Sequence, residues 1–170
     1  MGRFATKTTA YLGMFVALAF IFSYIEAIIP FSMGIPGIKL GLANIVVIIV
    51  LYAFGTKEAF LISMVRILLV AFTFSNTFTM LYSLSGGFLS WTMMIILKKT
   101  DKFSIVGVSV AGGVAHNIGQ LVVAAILIQT YSLIYYFPVL IIGGVITGVI
   151  IGILSSKIML VLKKHIDELI

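Results

Sequence analysis

Apolar side chains form six long runs along the chain, at about residues 10–29, 38–54, 59–74, 78–97, 104–128 and 137–161. A membrane-spanning helix needs about 20 consecutive apolar residues, because each residue advances the helix by about 1.5 Å and the hydrocarbon core is about 30 Å thick. The pattern predicts an all-α integral membrane protein with six transmembrane helices in one domain, residues 1–170. The second and third runs are short and separated only by residues 55–58, which predicts a tight helical hairpin.

The composition agrees with a membrane protein and excludes a soluble domain. Hydrophobic residues make up 62% of the chain and charged residues 9%, and the mean hydropathy is +1.27. Soluble domains carry about 25% charged residues. The first apolar run is longer than the core of a secretory signal, about 7–15 residues, so we expect it to be retained. The net charge of +6 does not indicate nucleic-acid binding, because the cations flank the apolar runs.

The distribution of lysine predicts the orientation of the protein. Alternate connections carry basic residues, namely Lys57, Lys98, Lys99, Lys102, Lys163 and Lys164. The other connections, residues 30–37, 73–77 and 129–136, contain neither Lys nor Arg. Since cytoplasmic loops of membrane proteins are enriched in Lys and Arg, both termini are expected in the cytoplasm. The expected location is the cytoplasmic membrane, with several crossings.

Sequence motifs for energy transduction and redox chemistry do not occur. The chain has no Walker sequence, no GxGxxG after a strand and no HExxH. A transporter that hydrolyses ATP by itself is therefore excluded. We expect no cofactor, no metal site, no catalytic residues and no nucleic-acid partner.

Three basic side chains, Lys39, Arg66 and His116, occur within the predicted spans together with one acid, Glu26, whereas Lys157 lies at the end of the last span. A charged side chain inside the membrane costs about 2.5–3.5 kcal/mol on insertion scales, so its presence is a functional hypothesis. The excess of basic groups predicts a cavity that receives an anionic or phosphorylated solute.

Helical spacing places several polar side chains at similar depths. His116 lies about 18 Å from the cytoplasmic end of its span, with Gln120 one turn further out on the same face and Asn117 beside it. Arg66 lies about 12 Å from the cytoplasmic side. The predicted pocket therefore lies in the outer half of the bundle and opens to the outside.

The second span adds further candidates for this pocket. Gly37, Gly41 and Asn44 recur there at helical spacing, and Lys39 lies near the outer end. Glu26 lies about one turn below the outer end of the first span. The predicted substrate-binding residues are Glu26, Lys39, Asn44, Arg66, His116, Asn117 and Gln120.

Each of these residues also has a structural interpretation. Lys39 and Glu26 can extend to the outer interface or pair with each other. Arg66 can cap backbone carbonyls or form a structural pair. The group His116, Asn117 and Gln120 can provide hydrogen bonds between helices, worth about 0.6–2 kcal/mol.

Small residues recur every four positions in two spans. The first span carries Thr9, Gly13 and Ala17 near its cytoplasmic end, and the last span carries the stripe Gly144, Gly148 and Gly152. Such stripes let helix backbones approach closely in lipid. Either stripe can pack inside the protein, and either can receive another membrane subunit.

Two short strings in these segments carry a specific resemblance. The strings KLGLAN at residues 39–44 and AHNIGQ at residues 115–120 resemble the Gx transporter family, also labelled heptaprenyl diphosphate synthase component I. The resemblance covers about residues 10–160. That family is similar to substrate-binding S components of energy-coupling-factor (ECF) transporters, which are six-helix proteins that capture a vitamin-like solute outside and dock on a membrane T subunit driven by two ATPases.

The resemblance implies a transport subunit for a vitamin, cofactor or isoprenoid-type solute, and it places Gly13 and Ala17 at the docking seam for the T subunit. The enzyme label implies instead an accessory subunit of a prenyl diphosphate synthase. Catalysis itself is not expected, because Asp101 and Asp167 are solitary and cannot form the paired Asp-rich magnesium motifs of such enzymes. A self-contained proton-coupled carrier that uses Glu26 and His116 is a third hypothesis.

Overall fold

The computed structural model describes residues 2–29 and 40–166, and every regular element in that part of the chain is a helix. The elements are α1 (Gly2–Ile28), α2 (Leu42–Ala53), α3 (Thr56–Phe74), α4 (Thr77–Lys99), α5 (Ile105–Ile128), a 3-10 helix (Tyr131–Tyr136) and α6 (Phe137–Ile166). The all-α prediction is confirmed for the described residues, and the predicted α2–α3 hairpin is present.

Four of these helices are long and apolar enough to cross a membrane, so the chain is a multi-pass membrane protein. The corresponding segments are Thr8–Ile28, Thr77–Lys99, Ile105–Ile128 and Ser132–Leu162. The other two helices do not meet that description on their own. α2 has 12 residues, which give a length of about 18 Å. α3 contains three charged residues, Lys57, Glu58 and Arg66. The six-span count and the orientation therefore stay predictions.

The second helix starts later than its apolar run predicts. Gly41 has a φ of 77°, in the left-handed region, and α2 begins only at Leu42. A right-handed helix cannot continue through this backbone conformation. The predicted helical spacing of Gly41 and Asn44 is therefore wrong, and Gly37 lies outside the described residues.

The core lies around α2 in one half of the bundle. Eight of the 12 residues of α2 are buried, and they pack against Ala19 of α1, Ile62 of α3, Met94 of α4 and Ile151 of α6. A helix that is apolar on all faces is stable when neighbours cover it all round. The short α2 is therefore the central helix rather than a peripheral one.

Side chains of α4 close the core at the end of the bundle where α2 meets α3. The Trp91 indole N–H donates to the Thr56 carbonyl at 2.9 Å. Lys98 donates to the Leu51 carbonyl, and its ammonium lies 4.9 Å from the centre of the Tyr52 ring. We call this the basic end of the bundle, because it carries Lys57, Lys98, Lys99 and Lys102.

Glycines hold α4, α5 and α6 close together. A Cβ atom at Gly148 would lie 2.6 Å from the Val110 Cα atom, and one at Gly113 would lie 2.7 Å from the Gly144 carbonyl oxygen. The Ser109 hydroxyl donates across the same contact to the Gly148 carbonyl at 2.7 Å. The small-residue stripe of α6 therefore packs inside the protein, which is the structural alternative given by the sequence.

Candidate functional site

One cavity of about 190 Å³ is lined by side chains from all six α-helices. It brings together six of the seven predicted substrate-binding residues, namely Glu26, Asn44, Arg66, His116, Asn117 and Gln120. The seventh, Lys39, lies outside the described residues. Residues from four different helices thus meet in the cavity where the sequence predicts a shared pocket, and their role in binding stays a prediction.

The guanidinium of Arg66 has one nitrogen that donates a hydrogen bond and one buried nitrogen without a partner among the described residues. Its Nη1 donates to the Ser23 hydroxyl at 3.2 Å, and that hydroxyl donates to the Ala19 carbonyl at 3.0 Å. The Arg66 Nε atom is buried and has no hydrogen-bond partner among the described residues. A guanidinium presents five N–H donors in a planar fork, which matches the two oxygens of a carboxylate or phosphate. Arg66 therefore lines the cavity with a guanidinium whose donors are not all used by Ser23, and such a group is suited to bind an anion.

The acidic residue of the cavity, Glu26, is fixed by the start of α2. Its carboxylate accepts a hydrogen bond from the backbone N–H of Gly41. Gly41 lies in a narrow place, since a Cβ atom there would approach the Ile151 Cδ1 atom to 2.9 Å. The left-handed backbone favours glycine here, since side chains with a Cβ atom rarely adopt it. Gly41 therefore allows α2 to begin beside the cavity and within reach of Glu26.

His116 and Gln120 are positioned by a close approach of α4 to α5. A Cβ atom at Gly86 of α4 would lie 2.8 Å from the His116 carbonyl oxygen and 2.9 Å from the Gln120 Cγ atom. The Ser85 hydroxyl, next to Gly86, donates to the Gly119 carbonyl at 3.0 Å. The two side chains therefore lie against a glycine backbone, one turn apart on the cavity wall.

Asn117 connects two helices as well as lining the cavity. Its Nδ2 atom donates to the Leu140 carbonyl of α6 at 2.7 Å. Part of its hydrogen-bonding capacity is thus used between helices, as the structural interpretation of this residue expects.

Several hydroxyl groups of the wall were not among the predicted site residues. Ser23, Ser109 and Thr147 line the cavity, and each donates to a backbone carbonyl, that of Thr147 being the Gly143 carbonyl at 2.9 Å. A fully paired hydroxyl is polar enough to line a cavity and adds no free donor. The sequence signal for this wall is clearest in α4, where Thr79, Ser83, Ser90 and Met94 of the lining recur at helical spacings.

The cavity extends further toward the basic end than its predicted position in the outer half. Met94 and Ser90 belong to its lining. Met94 precedes Lys99, the last residue of α4, by about 7.5 Å. The depth of the cavity was underestimated because the small residues at its base, such as Gly112, carry no charge to indicate their position.

The predicted docking residues lie elsewhere on the molecule. Thr9, Gly13 and Ala17 are exposed on α1, and a Cβ atom at Gly13 would meet nothing within 4 Å. Within the described part of the chain, no helix packs against Gly13, in contrast to the glycines of the α6 stripe.

Comparison with known families gives one match. The family profile described as "Heptaprenyl diphosphate synthase component I" matches residues 15–158 of the chain. No curated protein and no solved structure matches.

Proposed function

Since this chain belongs to the heptaprenyl diphosphate synthase component I family, we propose that it is a membrane-embedded subunit that binds a small solute and works with partner proteins. The solute is an anionic or amphiphilic compound of the vitamin, cofactor or isoprenoid type. Binding occurs in the cavity between the six helices, and partner subunits of the ECF type supply the energy for uptake.

The buried Nε atom of Arg66 is the observation that carries this proposal. An unpaired buried donor costs about 1–3 kcal/mol, and more when it is charged. A protein that keeps such a donor beside a cavity is expected to use it. An anionic group of the solute would pair with the guanidinium of Arg66, which lines the cavity.

Two features support a partner-driven mechanism. The family name refers to one component of a larger assembly. The exposed stripe of Thr9, Gly13 and Ala17 is a surface on which a second membrane protein can pack closely, because small side chains let helix backbones approach. The proposed occupant of this surface is a membrane T subunit, which two ATPases drive.

The test is the identification of small molecules that the gently purified protein retains, by mass spectrometry. Arg66→Ala and His116→Ala are each expected to weaken binding of the retained compound at least about tenfold, the loss typical of a charge-assisted hydrogen bond. Lys102→Ala is the matched control, because Lys102 is exposed near the basic end and does not line the cavity. Unchanged affinity in both cavity variants contradicts the proposal.

The family name favours a second candidate function, an accessory membrane subunit of heptaprenyl diphosphate synthase. In that role the chain would hold a soluble catalytic subunit at the membrane. Co-purification with an Asp-rich soluble subunit, together with loss of prenyl synthesis when this chain is deleted, supports this alternative. Unchanged prenyl synthesis after deletion excludes it.

A further inference from the structure

The cavity carries fixed charges of both signs. Among the described residues that line it, Arg66 and Glu26 are the two with a formal charge at neutral pH when His116 is neutral. Their charges cancel. A purely anionic solute bound at Arg66 would share a low-dielectric cavity with the Glu26 carboxylate, and like charges repel strongly in such surroundings.

The two charged groups are close together and both can accept a ligand. Ser23, which contacts Arg66, precedes Glu26 by three residues on α1, so the two positions differ by about 4.5 Å along the helix. The contact with Gly41 uses the Oε1 atom of Glu26. A carboxylate accepts hydrogen bonds at both oxygens. The Oε2 atom can therefore receive a cationic donor while the start of α2 stays fixed.

The size of the cavity limits the ligand. A cavity of about 150 Å³ holds a benzene molecule. The volume here is about 190 Å³, which corresponds by proportion to about eight non-hydrogen atoms. A compound of this size can bring two charged groups to Arg66 and Glu26 only if they are close together in the compound. A heptaprenyl chain is several times too large to be enclosed.

We propose that the ligand of this cavity is a small zwitterion, of the size and kind of an aliphatic amino acid, whose carboxylate binds Arg66 and whose ammonium group binds Glu26. The inference rests on the solute-binding role in the proposed function, and it replaces the anionic or amphiphilic solute given there with a zwitterionic one. A zwitterion leaves the loaded cavity with the same net charge as the empty one, so loading adds no net charge to the interior of the membrane protein.

The test uses free α-, β- and γ-amino acids no larger than leucine as probes of the wild-type protein in nanodiscs. At least one is expected to raise the thermal unfolding temperature in a saturable manner. Its desamino acid, the same carboxylic acid with hydrogen in place of the ammonium group, lacks the cation and is no larger, and its carboxamide lacks the anion. Each derivative is expected to bind about tenfold to a hundredfold more weakly by titration calorimetry, since each loses one charge-assisted hydrogen bond.

Charge-removing variants assign each end of the probe to its residue. Glu26→Gln keeps an oxygen that can accept the Gly41 N–H, and it should bind the amino acid and its desamino acid within about threefold of each other. Arg66→Gln should lose the preference for the amino acid over its carboxamide. Glu58→Gln is the control, because Glu58 lies at the start of α3 and does not line the cavity. It should leave all three affinities unchanged.

Three results overturn the inference, and the first two do not depend on how well the variants fold. In the wild-type protein, no amino acid raises the unfolding temperature, or the desamino acid binds as tightly as its parent. A retained compound that carries only anionic groups and is lost in Arg66→Ala would also overturn it, while the proposed function would stand.

Discussion

Single residues set the distances between helices, and the two glycines Gly148 and Gly13 show opposite consequences of an added methyl group. At Gly148 a Cβ atom would lie 2.6 Å from a backbone carbon of α5, whereas at Gly13 it would meet nothing within 4 Å. A backbone atom cannot rotate away as a flexible side chain can. The helices α5 and α6 would have to move apart, which would also disturb the hydrogen bond from Ser109 to Gly148.

We therefore predict that Gly148→Ala destabilises the protein by about 1–3 kcal/mol, the range for overpacking in a dense core. Gly13→Ala is the matched control and should leave the stability unchanged or raise it slightly, because alanine favours the helix over glycine. Thermal unfolding of the two purified variants in the same detergent measures the difference. Equal unfolding temperatures would show that α5 and α6 do not pack as closely as described.

At the scale of residues, depth and helical spacing were enough to predict from the sequence that Arg66, His116 and Gln120 line a common cavity. They were enough because a polar group in a lipid-embedded helix has to face protein or water. The hydrogen bond of Asn117 could not be predicted in the same way. Its partner is a backbone carbonyl on α6, 23 residues further along the chain, and every residue carries such a carbonyl.

At the scale of elements, the two small-residue stripes have the same four-residue spacing in the sequence and differ in the structure. The stripe of α6 is covered by α5, whereas Gly13 and Ala17 of α1 are exposed. The period of four residues indicates a close contact but not the partner in it. The late start of α2 also could not be predicted, because nothing in the apolar run indicates that Gly41 adopts a left-handed backbone.

The exposed stripe of α1 leads to a prediction about assembly. Gly13→Leu adds a large side chain where the chain itself offers open space, so the fold and ligand binding should be preserved. Docking of a membrane partner should be lost, because a leucine prevents close approach of the helix backbones. The measurement is co-purification of T subunit and ATPases with the variant from membranes. Met14→Leu is the control, because Met14 is exposed next to Gly13 and leucine is similar in size to the methionine that it replaces. Undiminished recovery of the partners with Gly13→Leu would contradict the docking role.

At the scale of the whole molecule, α2 contributes to both the core and the cavity. This helix provides the core next to the basic end, and it begins at Leu42, beside the cavity. Its side chains Asn44 and Ile48 line the cavity, and its residues from Ile45 to Leu51 belong to the core. The packing of one short central helix thus determines where the core ends and the cavity begins.

The same short helix makes the topology a question for experiment, and a chain without cysteine is suited to it. We predict that intact cells exposed to a membrane-impermeant maleimide are labelled in the variants Ser75→Cys and Thr130→Cys, which lie in connections without Lys or Arg. The variants Lys57→Cys and Lys102→Cys should be labelled only after the cells are opened. This outcome requires α3 to cross the membrane despite Lys57, Glu58 and Arg66, with the Arg66 charge held in the cavity rather than in lipid.

Labelling of the Lys57 and Ser75 variants from the same side would show instead that α3 does not cross, and the six-span count would be wrong. Labelling of the Lys102 variant in intact cells, with no labelling of the Thr130 variant, would reverse the orientation and place the proposed docking stripe of α1 outside the cell.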